Sequence, residues 1–93
     1  MPKLERLGKL LAGLPLGMYG SEFESRGEAL DHINQEVTRI AMQESGVRAD
    51  QLSDESQEDT PIVRLYWLTN SAIWSKVFIA AAQSMHYVKE LEG

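Results

Sequence analysis

From Pro61 to about Leu91 the chain has no internal glycine or proline, so nothing in roughly thirty residues forces a helix to stop. A helix of that length spans ~45 Å, and the segments before it, laid end to end as helices, span ~40 Å at the same rise per residue. The economical fold is therefore all-α. One long C-terminal helix (60–91) has two shorter ones (3–12 and 26–45) running along it. Thr60 is suited to cap the long helix and Pro61 to occupy its first position. Thr69-Asn70-Ser71 places three poor helix formers together, so a kink there, or an extended segment over 62–68, is the alternative left open.

The composition of this helix constrains the fold further. Between Leu65 and Met85 the only charged residue is Lys76. One stripe holds Val63, Trp67, Trp74, Val77, Ala81 and Val88, and a second holds Ile62, Tyr66, Ile73, Ala80 and Tyr87. Phe78 and Met85 widen the apolar surface. A helix that is apolar on most faces is normally buried on most faces. Two short helices cannot cover it, and the surplus patch marks an interface. The small residues Ala80-Ala81-Ala82 allow another helix to approach closely. Self-association is thus expected, with Val63, Trp67, Trp74, Val77, Phe78, Ala81 and Met85 as the oligomer interface. A membrane span is not expected, because Asn70, Lys76, Gln83 and four serines or threonines interrupt the run.

The remaining segments follow local rules. Leu4, Leu7, Leu10 and Leu11 recur at helical spacing in residues 3–12, with Lys3, Arg6 and Lys9 on other faces, and Gly13 then Pro15 end the pattern. Gly13, Gly17 and Gly20 space a connector in which Met18, Tyr19 and Phe23 are expected to turn over the core. Ser25 with Glu28 forms a capping box, predicting a helix from about Arg26. Its buried stripe is Leu30, Ile33, Val37, Ile40 and Ala41, and Ser45-Gly46 is a good stop, with Val47 placed for the hydrophobic contact that follows such a cap. Residues 48–59 form a polar, acidic connector with room for a short helical turn. The whole of 1–93 reads as one domain, a small helical bundle whose two longer helices run antiparallel and whose packing is completed by oligomerisation.

Charge restricts the partners. The net charge is −5, and residues 27–60 carry nine acidic side chains against two basic ones. An acidic middle argues against direct nucleic-acid binding, which requires clustered cations to replace phosphate counterions. It suits a protein partner with a basic surface, met by Asp50, Asp54, Glu55, Glu58 and Asp59. There is no cysteine, so a chain this short has no disulfide to support it. The sequence at residues 1–6 has no secretory pattern, and a cytoplasmic location is the expectation.

Catalytic chemistry finds no foothold. Neither His32 nor His86 is matched to a serine in a nucleophilic arrangement. The triplet Glu28, His32 and Glu36 on one helix face reads as a solvated stripe rather than a metal site. No cofactor is implied. The sequence-level expectation is a non-enzymatic homo-oligomer that binds and modulates another macromolecule, as an inhibitor or adaptor does. The contrasting expectation is an oligomer that holds an anionic small molecule such as a nucleotide. Tyr19, Arg26, Arg64 and Tyr66 from two chains would then meet at one site.

Overall fold

The computed structural model describes the backbone of residues 2–53 and 59–92 and the side chains of residues 3–52 and 59–85. Its elements are α1 (Pro2–Gly13), a 3-10 turn (Leu14–Leu16), α2 (Arg26–Ser45), α3 (Ala49–Ser53) and α4 (Pro61–Glu92). The fold is all-α, with no strand among the described residues.

Each helix begins and ends where the chain supplies the chemistry. At α2, Ser25 is extended and its Oγ accepts the Glu28 N–H at 3.2 Å. The Glu28 carboxylate reaches back to the Glu24 N–H at 2.9 Å, one residue before the N-cap, so the reciprocal arm of the capping box is displaced outward. Gly46 closes α2 at φ 78°, a left-handed angle favouring glycine, and its N–H donates to the Met42 carbonyl at 2.9 Å. Val47 then folds back and is buried, as the cap rule requires. At α4, Thr60 Oγ1 accepts the Val63 N–H at 3.3 Å and Pro61 takes the first helical position. Gly17 (φ 71°) ends the 3-10 turn in the same left-handed manner.

The extended alternative for residues 62–68 is overturned: α4 is helical throughout that stretch. Its poor helix formers are satisfied locally. Thr69 Oγ1 donates to the Leu65 carbonyl at 2.7 Å, Asn70 Nδ2 to the Tyr66 hydroxyl at 3.3 Å, and Ser75 Oγ to the Ser71 carbonyl at 3.0 Å. Side chains that could compete with the backbone instead bond one turn back, which a helix tolerates.

The core is a seam along α4, against which α1 and α2 pack with little contact between themselves. Ile33, Val37 and Val77 are fully buried at its centre, each stabilising the fold by about 1.5–3 kcal/mol through removal from water. Leu4 and Leu7 enter from α1, Leu14 from the 3-10 turn, and Val63, Tyr66 and Ile73 from α4. Two expectations need correction. Leu30 is 45% exposed and Ala29 is buried in its stead, because the buried row of α2 runs Ala29-Ile33-Val37 at spacings of four. Met18 points outward at 64% exposure, whereas Tyr19 and Phe23 do pack on the core.

The close approach of α1 depends on Gly8. A Cβ at that position would collide with Ala80 Cβ and would stand 2.9 Å from the Ala80 carbonyl carbon and the Ala81 nitrogen. The small residues of α4 are thus used within the chain, by α1. The molecule is a rod of 50 × 25 × 19 Å with a radius of gyration of 15.4 Å, against about 12 Å for a globule of 93 residues. The long axis is set by α4, whose 32 residues span about 48 Å.

Candidate functional site

With α1 and α2 on one side, half of α4 is left facing outward. Leu65, Trp67, Leu68, Phe78, Ile79 and Met85 are between 48% and 70% exposed, and they are six of the nine large apolar side chains exposed among the described residues. They form two strips. One runs Trp67, Trp74, Phe78 and Met85, with Trp74 half-buried and its ring 5.6 Å from that of Phe78. The other runs Leu65, Leu68 and Ile79 along the next row of the helix. Ser71, Ser75 and Ala82 separate the strips, all exposed and uncharged. No helix of the described residues is long and apolar enough to cross a membrane.

The seven residues expected at an oligomer interface divide accordingly. Trp67, Phe78 and Met85 do face outward, and Trp74 is half-buried. Val63, Val77 and Ala81 do not: they are 6% exposed or less, consumed by the chain's own core. Leu65, Leu68 and Ile79 were not among the seven, although their spacing of three and eleven residues places them on one row. The first of the two stripes read along α4 straddles the boundary between its buried and exposed halves, whereas Ile62, Tyr66, Ile73 and Ala80 of the second lie on the buried side.

The acidic set is only partly available. Asp50 accepts from Arg48 at 3.0 and 3.4 Å, and Asp59 from Arg64 at 2.7 and 2.9 Å. These hydrogen bonds and the adjacent guanidinium charge hold both carboxylates below their ordinary pKa, and Asp59 raises that of Arg64. Asp54, Glu55 and Glu58 lie outside the described residues, as does the side chain of His86.

Of the four expected ligand-binding residues, Tyr19 alone lines the open cleft described below. Arg64 is engaged by Asp59, and Arg26 is an exposed residue at the start of α2. Tyr66 is 3% exposed and its hydroxyl receives Asn70, so it is a core residue and cannot face a second chain's ligand. Among the described residues no three His, Cys, Asp or Glu side chains group as metal ligands. Glu36 is taken instead by Lys3 at 2.9 Å and Arg39 at 3.0 Å, which lower its pKa from 4.5.

A second surface feature was not foreseen. The loop after the 3-10 turn folds back over α1 and α2 to enclose an open cleft of about 590 Å³. Arg6 and Lys9 of α1, Tyr19, Glu22 and Phe23 of the loop, and His32 of α2 line it. The Phe23 and His32 rings stand 5.2 Å apart. Only folding brings these three segments together, so no spacing in the sequence announces the cleft. Comparison with known protein families, curated proteins and solved structures finds no match for this chain.

Proposed function

We propose that this chain is a non-enzymatic interaction protein that acts as a homo-oligomer, a second copy covering the outward face of α4. The observation that carries the reading is the six-residue apolar surface from Leu65 to Met85, interrupted by the single charge of Lys76. Surface area supports it. The chain exposes 6642 Å², about 1,200 Å² more than the ~5,400 Å² usual for a monomer of its mass. A standard interface removes about 800 Å² from each partner. The face is about 30 Å long, enough for a helix-to-helix contact over its length. Electrostatics supports a second copy in particular. Chains of net charge −5 repel one another, but their negative charge is concentrated in residues 27–60, so the face of α4, which carries no acidic residue and the single cation Lys76, is where two copies meet at least cost.

Joined in this way, the copies would present the acidic stretch from Glu44 to Asp59 to a macromolecular partner with a basic surface. Binding that partner and modulating it, in the manner of an inhibitor or adaptor, is the proposed role.

Light scattering across a hundredfold dilution in the micromolar range tests the first step. A mass that is a stable multiple of 10.5 kDa supports it. A soluble monomer at every concentration refutes it.

A further inference from the structure

The cleft between α1, the loop and α2 brings two cations without an ion-pair partner to one place on the surface. Among the described residues, Lys3, Arg39, Arg48 and Arg64 each have a carboxylate within ion-pair distance. Arg6, Lys9, Arg26 and Lys76 have none, although acidic residues outnumber basic ones by fourteen to nine, and of these four Arg6 and Lys9 line the cleft. One turn apart on α1, their Cβ atoms are about 5–6 Å from each other, close enough for both to engage one anion. Beneath them the cleft is aromatic: Tyr19 and Phe23 are half-buried on the core, and the half-buried His32 ring leans on Phe23. A volume of about 590 Å³ lies within the range of small-molecule sites.

We infer that this cleft binds a small aromatic anion, a flat ring carrying one anionic group. The ring would lie against Tyr19 and Phe23, and the anionic group would be held by Arg6 and Lys9. Planar guanidinium and ammonium donors at one edge, with apolar ring faces below, match the two halves of such a molecule. Glu22 sets the limit on charge. This residue lines the same cleft, and its negative charge disfavours a polyphosphate or a nucleic-acid backbone, so the preferred ligand carries a single phosphate or carboxylate. The site draws on one chain only and does not depend on the association of copies through α4.

Titration of the intact chain, followed by two-dimensional NMR, tests this with three probes: adenosine monophosphate, 2-naphthoate and uncharged adenosine. The expected result is saturable shifts at Tyr19, Phe23 and His32 with at least one of the two anions at millimolar concentration. Adenosine should bind more weakly than its monophosphate, and whichever anion saturates identifies the group as phosphate or carboxylate. Arg6→Gln with Lys9→Gln should weaken binding by about tenfold or more, while Lys76→Gln leaves it unchanged. All three substituted side chains are exposed, so a retained helical circular-dichroism spectrum certifies the fold of each variant. Failure of both anions to saturate overturns the inference. So does equal affinity in the Arg6/Lys9 and Lys76 variants. A chain that proves monomeric by light scattering but binds the anion refutes only the oligomer, so the two readings fail separately.

Discussion

Gly8 of α1 stands directly against Ala80 of α4, with no room between them for a methyl group. The contact fixes where α1 lies and therefore which side of α4 is covered. Replacing glycine by alanine inside a helix ordinarily raises stability by about 1 kcal/mol. Here Gly8→Ala should lower it by about 1–3 kcal/mol, because the new Cβ meets backbone atoms of Ala80 and Ala81 at 2.9 Å and the helices must part. Urea denaturation checks the sign. A stabilised Gly8→Ala variant would mean that the two helices are not in contact there.

Leu68 and Ile79 are 70% and 59% exposed within one chain. In a monomer, changing either to glutamate should alter stability by no more than about 0.5 kcal/mol. In an oligomer joined through α4, Leu68→Glu with Ile79→Glu buries charge at the junction and should return the mass to 10.5 kDa. The thermal midpoint of the unsubstituted chain should rise with concentration and that of the double variant should not. Parallel behaviour of the two would exclude this face as the junction.

Ser25 caps α2 through a single side-chain hydrogen bond to Glu28. Ser25→Ala leaves that N–H without its partner and should cost about 1 kcal/mol. Ser25→Gly should cost only a few tenths, so the two variants, compared by denaturant midpoint, separate the cap from a general effect of substitution.

Lys3 and Glu36 form the one ion pair among the described residues that ties α1 to α2. Their hydrogen bond, with that of Arg39, lowers the Glu36 pKa from 4.5. A carboxylate whose folded pKa lies below its unfolded value adds stability above the unfolded value and loses it as pH falls through the folded one. Wild type should therefore exceed Glu36→Gln by about 0.2–1 kcal/mol at neutral pH, a range that allows for solvent screening of this partly exposed pair. The gap should close as the solution is taken below pH 4.5. Chemical denaturation at several pH values checks it, and a gap that is constant down to pH 3 would contradict the assignment.

The helix boundaries could be read from the sequence because each rests on neighbours in the chain. Ser25 with Glu28, Gly46 with Val47 and Thr60 with Pro61 act within four residues of one another, and the structure uses all three. The orientation of α4 could not be read in this way. A helix apolar around most of its circumference has no periodic signal to say which half is inside, so Val63, Val77 and Ala81 passed for interface residues. What decides the question is the fit of Gly8 to Ala80, a relation between residues far apart in the chain. The cleft was hidden for the same reason. Arg6, Tyr19 and His32 belong to three separate segments, and of these only Tyr19 stands out in the sequence as a ligand-binding candidate.

That same contact has a consequence for synthesis. Gly8 and Ala80 are 72 positions apart (80 minus 8), so α1 is translated well before the surface it covers exists. At ordinary rates of elongation the interval is about 4–14 s, long compared with the microseconds in which helices form. Throughout it the leucines of α1 lack the α4 surface on which they mainly pack, and a helix this short is only marginally stable alone. The nascent chain thus spends seconds with the apolar face of α1 not yet covered by α4. Only the arrival of Ala80 and Ala81 completes the fold.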